Sequence, residues 1–560
     1  MTHDTVAAFT YQRFAPTLPA LDAQRQETHR HRVLIVGGGP VGLAAALGLA
    51  RWGIASVVIE ADNTVCEGSR AICISRRSLE ILQRLGAAHA FVNKGLPWTR
   101  GRSFYGPQEV FVFDMPSHVQ DKYPPMLNLQ QYYIEQFLLD AIHATNQDCP
   151  GLVDIRWASR MVDCHQQDHG VTLRIENALG SYHTSTDWLL ACDGGQSSVR
   201  AGLGLSLQGT GYEGRYVIVD IELASEYPTE RRAWFDPPWA RGTTLLMHRQ
   251  PDNIWRLDWQ LAPGQDANTA LQPDTLRAMV QTHLDAIGEG NKPWKMVWSS
   301  IYRAGAMTLD DYRHGRILFA GNAAHTLPIF GVRGLNSGFD DADNLVWKLA
   351  AVLQGRAHDT LLDSYSHERI QAFHVNAEHA MRSTEFMSPP HRGFDLMREA
   401  CLSLAARHHD IARLINPRQT HAITYRDSPL SSHDNRSPED PPIHDEDLLA
   451  LGAPLVDTPI ADDQHLTDAL FPQGFTLLIS RPWTQQPEFE AASAASHWLP
   501  CRCVSIAPTV AARARLGDGL ALVRPDGHLC GRWRAPSTNT VLAAIARASG
   551  DVITQPSTKA

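Results

Sequence analysis

Three glycine-marked stretches carry the residues whose types and spacing could do chemistry. The first is Gly37-x-Gly39-x-x-Gly42. Glycines so spaced allow a tight turn, a close approach of backbone N–H groups to a pyrophosphate, and close packing of a helix on a strand. Glu60 follows at a distance suited to accepting hydrogen bonds from a ribose. The second stretch is Asp193-Gly194-x-x-Ser197-x-Val199-Arg200, which alone reads as a hairpin turn. The third, AGNAAHTLPIFGVRGLNSG, runs from Ala320 to Gly338 and includes Gly321-Asn322-Ala323-Ala324-His325. By itself the first pattern predicts a bound nucleotide and does not choose between NAD and FAD.

The flanking residues name the elements that must position these groups. VLIV, Val33 to Val36, predicts a buried strand, followed by a turn and an alanine- and leucine-rich helix ending near Gly53. SVVIE, Ser56 to Glu60, predicts a second strand, completing β-α-β and calling for a parallel sheet. Farther on, YVIVDIELA, TTLLMHR and IWRLDWQL predict an inserted antiparallel sheet. A helix is expected from near Asn336, with Asp340, Asp341 and Asp343 in its early turns and Gly355 at its end. The α/β class follows from this order.

Composition narrows the function classes. A chain of 560 residues calls for more than one core. A formal net charge of −10 argues against nucleic-acid partners. The nine cysteines are scattered without a Cys-x-x-Cys, a usage that suits a reducing cytoplasm. No targeting segment is legible in residues 1–30. The apolar run Val33–Ala50 is interrupted by glycines and a proline, so no membrane association is expected. No metal-ligand spacing occurs among the 26 histidines.

The three motifs, taken in order and joined by Asp341-Ala342-Asp343-Asn344-Leu345-Val346-Trp347-Lys348, resemble the class A flavoprotein monooxygenases. These are the aromatic hydroxylases with the para-hydroxybenzoate hydroxylase fold. The resemblance spans roughly residues 32–390. It is strongest to the branch of 3-(3-hydroxyphenyl)propionate and phenol hydroxylases, which adds a C-terminal thioredoxin-like domain. It implies a Rossmann-like FAD-binding domain (31–205 and 301–400) with an inserted antiparallel-sheet substrate domain (206–300). An N-terminal extension (1–30), a helix and linker (401–450) and a thioredoxin-like α/β domain (451–560) complete the chain. It also implies FAD as cofactor, NADH or NADPH as transient reductant, and O2 and a small aromatic compound as substrates. Oxygen transfer would run through a flavin hydroperoxide, and a homodimer is a possible assembly.

Residue by residue, the resemblance places Gly37, Gly39, Gly42 and Glu60 at the pyrophosphate and adenosine. Asp193 and Gly194 form the second contact, and Gly321 and Asn322 meet the ribityl chain. Pro328 lies against the flavin ring, and backbone N–H groups from Gly334, Leu335 and Asn336 on to Gly338 face its pyrimidine edge. Arg70, otherwise readable as a surface arginine, and Gln131 are further FAD contacts. Two positions depart from the family. Asn322 stands where aspartate is usual, which removes a charge and predicts weaker FAD binding. Arg333 stands where the propionate hydroxylases have glutamine, and predicts added positive charge beside reduced flavin.

Substrate contacts are expected from the hairpin Leu245–Gln260, where His248 and Arg256 are the polar candidates for a phenol hydroxyl or a carboxylate. The competing reading is that Arg256 and Asp258, alternating with Trp255, Leu257 and Trp259, simply face water. Cys501 and Cys503 have the wrong spacing for a thioredoxin-type redox pair. Alternative functions remain open at this point. They are oxygen insertion beside a ketone or epoxidation on the same fold, a non-catalytic flavin-binding redox sensor, and an NAD-dependent dehydrogenase.

Overall fold

The computed structural model describes residues 5–6, 9–262, 264–416, 419–432 and 448–551. Residues 417–418 and 433–447 of the expected helix and linker (401–450) therefore lie outside the described residues.

Strand β1 (Gln26–Val36) leads through the glycine turn into helix α1 (Pro40–Arg51) and strand β2 (Ser56–Ile59). The strand begins well before the expected Val33, because its first half pairs with a later strand, β3 (Gly180–Ala191). Val153–Arg156, β2, β1 and β3 form a parallel set. Leu34, Ile35 and Val58 are fully buried in it, which is why these runs are continuously apolar.

The second sheet is the inserted one. It contains β4 (Gln208–Leu223), β5 (Arg231–Phe235), β6 (Thr244–Arg249) and β7 (Ile254–Gln260). β6 and β7 form the expected hairpin. Asp252 and Asn253 take φ of 62° and 58°, and Gln250 N–H donates to the Ile254 carbonyl at 2.8 Å. Helix α2 (Pro273–Ala286) covers one face of the sheet, and strand β8 (Trp294–Thr308) extends it beyond β4. Two strands of the first nucleotide-binding segment, Arg100–Tyr105 and Gln108–Asp114, also join it beyond β5. The substrate sheet is thus larger than the expected insertion, since pairing between distant strands leaves no local pattern.

Strand β9 (Ile317–Phe319) returns to the first sheet beside β3. It delivers the third glycine stretch to helix α3 (Gly334–Leu353), which Gly355 ends at φ 69° as expected, and α4 (Leu361–Met387) follows.

The C-terminal unit has a mixed four-stranded sheet, in the order Cys501–Ser505, Phe475–Ile479, Leu520–Val523, Leu529–Trp533. It docks on α3 and α4 through buried charge. Arg524 and Lys348 both bond Glu368, while Trp347 Nε1 donates to Asp526 at 3.1 Å. Asn344, Trp347 and Lys348 of the motif therefore form a docking face. Cys501 and Cys503 lie on the edge strand of this sheet, and burial pushes both thiols up, Cys503 to about 12. Both stay protonated, which fits a packing role.

Toward the N-terminus, Phe14 stacks on Trp157 and Arg13 pairs with Glu67, so this part of the extension lies over the nucleotide-binding domain. Among the described residues no helix is long and apolar enough to cross a membrane.

Candidate functional site: a dinucleotide crevice facing a polar sheet

The three glycines of the first motif play three distinct roles. Gly37 has φ 103°, and a Cβ there would lie 2.4 Å from the Cys192 carbonyl oxygen. At Gly42 a Cβ would lie 1.9 Å from the Gly37 carbonyl oxygen. These two are required by the fold itself. At Gly39 a Cβ meets nothing within 4 Å, although its φ is ordinary. The open space at Gly39, ahead of the first N–H groups of α1, fits a pyrophosphate. Glu60 accepts from Gly38 N–H at 2.5 Å and from Asp62 N–H at 2.8 Å. Burial raises its pKa against the pull of those N–H groups.

The second and third motifs meet. Arg200 donates to the Ala323 carbonyl at 2.9 Å, tying one loop to the other. Asp193 Oδ2 accepts from Ser198 Oγ and Val199 N–H, both at 3.1 Å. Its Oδ1 is buried and has no partner among the described residues, which suits a hydroxyl donor from a ligand. Gly194 faces open space, Asn322 is exposed on a short turn, and Pro328 is buried.

Helix α3 presents its N-terminus here. Gly334, Leu335 and Asn336 are its first residues, and their N–H groups have no intrahelical acceptor. Ser337 N–H already bonds the Arg333 carbonyl at 2.8 Å, so the expected run of donors stops at Asn336, short of Gly338. The Asn336 side chain is also committed. It accepts from Ser75 N–H and Ser78 Oγ and donates to the Cys73 and Val332 carbonyls. Its backbone N–H alone faces a ligand. Val332, before the helix, holds φ 55°, a costly conformation for a β-branched residue and one found at ligand-binding turns. Arg333 is fully buried.

His325, left without a role in the motif, is structural. Its Nε2 meets Asp341 Oδ2 at 2.7 Å, which also accepts from Gly321 N–H at 2.9 Å, while Arg369 holds Oδ1 at 2.6 Å. Burial opposes the Asp341 charge, yet His325 and Arg369 hold the carboxyl well below its usual range.

The substrate sheet corrects the water-facing reading. Val219, Leu245, Met247, Trp255 and Leu257 pack against Leu276 and Val280 of α2. Arg256 (2% exposed), His248 (5%) and Asp258 (7%) occupy the opposite face, and it too is buried. Tyr216, Phe235 and Leu246 of that face cluster with Phe330.

Arg256 differs from its expected role. Its Nε and Nη2 form a fork on Asp220, each at 2.8 Å. It also donates to the Arg70 carbonyl at 3.0 Å and to the Ser69 carbonyl. With its donors so engaged it holds the Ser69–Arg70 loop against the sheet, which fits a positioning role better than that of a carboxylate receptor. Arg70 itself is exposed. Gln131 acts on the same loop: its side chain accepts from Ala71 N–H at 3.1 Å, and its backbone N–H donates to Ser69 Oγ at 3.0 Å.

His248 is held neutral by burial and by the charges of Arg231 and Arg256. Its Nε2 is 3.8 Å from Asp258 Oδ2, and its Nδ1 has no partner among the described residues. Burial pushes Asp258 up to about 6, with Arg256 pulling the other way. Asp220 and Asp258 were missed from the sequence, although a lone aspartate in YVIVDIEL and another between tryptophans were the available signals. Among the described residues no group of three His, Cys, Asp or Glu is placed to hold a metal.

A dinucleotide crevice opposed by a buried, partly polar antiparallel sheet defines a flavin-dependent class of fold, and the donors and open glycines fit FAD. The chain belongs to the FAD binding domain family, whose profile matches residues 30–380. It is 28% identical over 380 residues to the 3-(3-hydroxy-phenyl)propionate/3-hydroxycinnamic acid hydroxylases of Shigella sonnei and Escherichia coli K12. Those alignments cover 68% of this chain and 66% of each relative, so the chain spans just under two thirds of their length. The fold is shared with the flavin-dependent monooxygenase PieE, at TM-score 0.78 and 22% identity over 94% of this chain and 100% of that one. Aklavinone-11 hydroxylase, solved with FAD and aklavinone, matches at TM-score 0.75 and 22% identity over the same shares.

Proposed function

We propose that the protein is an FAD-dependent monooxygenase that uses NADH or NADPH and O2 to hydroxylate a phenolic or related aromatic compound. One observation carries this reading. The segment Ser69–Ser75 is gripped by Asn336 of α3 on one side and by Arg256 of the sheet on the other. The nucleotide crevice and the polar sheet face thus share one wall, which supports a ring site beside the flavin end of the crevice. The hydroxylase relatives support the same assignment.

In this reading Gly37, Gly39, Gly42 and Glu60 receive the pyrophosphate and adenosine. Asp193 Oδ1 and Asn322 accept from ribityl hydroxyls beside Gly194 and Gly321, and Pro328 lies along the ring. The N–H groups of Gly334, Leu335 and Asn336, with the charge of Arg333, face the pyrimidine edge. Arg70 reaches the cofactor from a loop that Gln131 and Arg256 hold in place. Bound FAD supplies hydride acceptance from the nicotinamide and oxygen transfer to the ring.

The chain's own part is position, dryness and proton handling. Leu246, Phe235, Tyr216 and Phe330 exclude water from an aromatic ring. Asp258 Oδ accepts the phenol proton, since its pKa near 6 keeps it ionised at neutral pH yet more basic than an ordinary aspartate. Neutral His248 offers a ring nitrogen to the same hydroxyl.

The test is aerobic NADH and NADPH oxidation by the FAD-loaded protein, with a panel of phenols and hydroxyphenyl acids and with peroxide counted alongside. A product heavier by one oxygen, with little peroxide, is the expected result. Stimulation with stoichiometric peroxide, or no stimulation by any aromatic compound, overturns it.

A further inference from the structure

Arg231 opens β5 on the inner face of the sheet and is 6% exposed. Extending the β5–β6 pairing by one residue sets it opposite His248, which is itself opposite Arg256. Arg231, His248, Arg256 and Asp220 therefore form one row across four strands. Arg156, Arg256, Arg369 and Arg524 are at least as buried as Arg231, and each holds a carboxylate. Arg231 does not. Among the described residues its side chain makes no hydrogen bond or ion pair, and its Nε is buried without a partner. The Asp258 carboxylate lies within the field of Arg231 but forms no ion pair with it, and the nearby Cys73 thiol is no counter-ion, because burial pushes it up to about 12.

Two more orphaned polar atoms share this patch: Nδ1 of His248 and Oε1 of Gln250, the latter side chain 1% exposed. The patch faces the cofactor wall. Cys73, within the field of Arg231, lends its carbonyl to Asn336 Nδ2 at 3.1 Å. A buried cation without a partner is costly, and a planar guanidinium matches a carboxylate with two parallel bonds.

We propose that Arg231 anchors a carboxylate of the aromatic substrate, so that the site selects aromatic acids over neutral phenols. The inference rests on reading this crevice as the substrate site. It replaces Arg256 with Arg231 as the acid-binding residue.

The experiment uses FAD-loaded full-length protein and two probes, 3-(3-hydroxyphenyl)propionate and 3-propylphenol. They share the phenol and the chain length and differ in the carboxylate. Binding is read from perturbation of the flavin absorbance, which needs no turnover. The wild type is expected to prefer the acid by on the order of 100-fold, the effect of charged hydrogen bonds at a buried site. R231Q is expected to bring the two probes within about threefold by weakening the acid alone, and R231K to fall between. Ligand-free R231Q should melt no lower than the wild type, because a buried charge without a hydrogen-bonded partner has been removed.

Equal weakening of both probes, an undiminished preference, no acid preference in the wild type, or a large drop in melting temperature overturns the proposal. An Arg231-dependent acid preference without turnover would uphold it and remove the hydroxylase reading. Hydroxylation of the neutral phenol with no preference for the acid would do the reverse.

Discussion

The guanidinium of Arg256 donates to the backbone carbonyl of Arg70 across 3.0 Å, joining the antiparallel sheet to the loop proposed to reach the cofactor. Arg256 is in turn oriented by Asp220, so two buried residues set the distance between two sites. Arg256→Met leaves Asp220 buried and unpaired, and should cost about 3–5 kcal/mol of stability. Denaturant unfolding checks this. FAD retention on gel filtration should fall in parallel. Adding Asp220→Leu should recover most of the stability and leave FAD retention impaired.

Glycine substitutions separate folding from cofactor binding. Gly39→Ala enters open space, so melting of the FAD-free protein should be unchanged. FAD affinity should drop at least about tenfold as the methyl fills the pyrophosphate cradle. Gly42→Ala collides with the Gly37 carbonyl and should destabilise the FAD-free protein by on the order of 3 kcal/mol. Calorimetry and flavin fluorescence titration distinguish the two.

Arg333 is buried at the N-terminal end of α3, where in the proposed reading its positive charge favours reduced flavin. Arg333→Gln should lower the two-electron potential by roughly 30 mV or more, a tenfold change in the reduction equilibrium. A dye-equilibration titration measures it, and an unchanged potential would show that the charge is not felt at the ring.

Asp258 predicts an acid limb in the rate. It sits among Arg231, His248, Arg256 and Asp220, and burial raises its pKa to about 6. As pH falls through 6 the carboxylate takes up a proton and can no longer accept one from a phenol, so kcat/KM should fall. Asp258→Asn should lower kcat/KM roughly 100-fold at neutral pH and abolish that limb. A limb unchanged in the variant would assign the proton to another group.

What the sequence determined by itself was local. Gly37, Gly39 and Gly42 are legible because turn sterics and helix–strand contact act over a few residues, as does the turn at Pro251-Asp252-Asn253. The motif order identified the family for the same reason. The tertiary structure decided what depends on strands far apart in the chain. Arg100–Asp114 joins the substrate sheet by pairing with β5, for which no periodicity exists. Alternation around Trp255 and Trp259 marked two faces of β7, but only α2 and the cofactor wall decided that both are buried. The same packing gave Arg256 its partners and left Arg231, beside it across one strand, without any among the described residues. Which arginine is satisfied is a property of the fold, because a guanidinium finds its carboxylate across strands rather than along the chain.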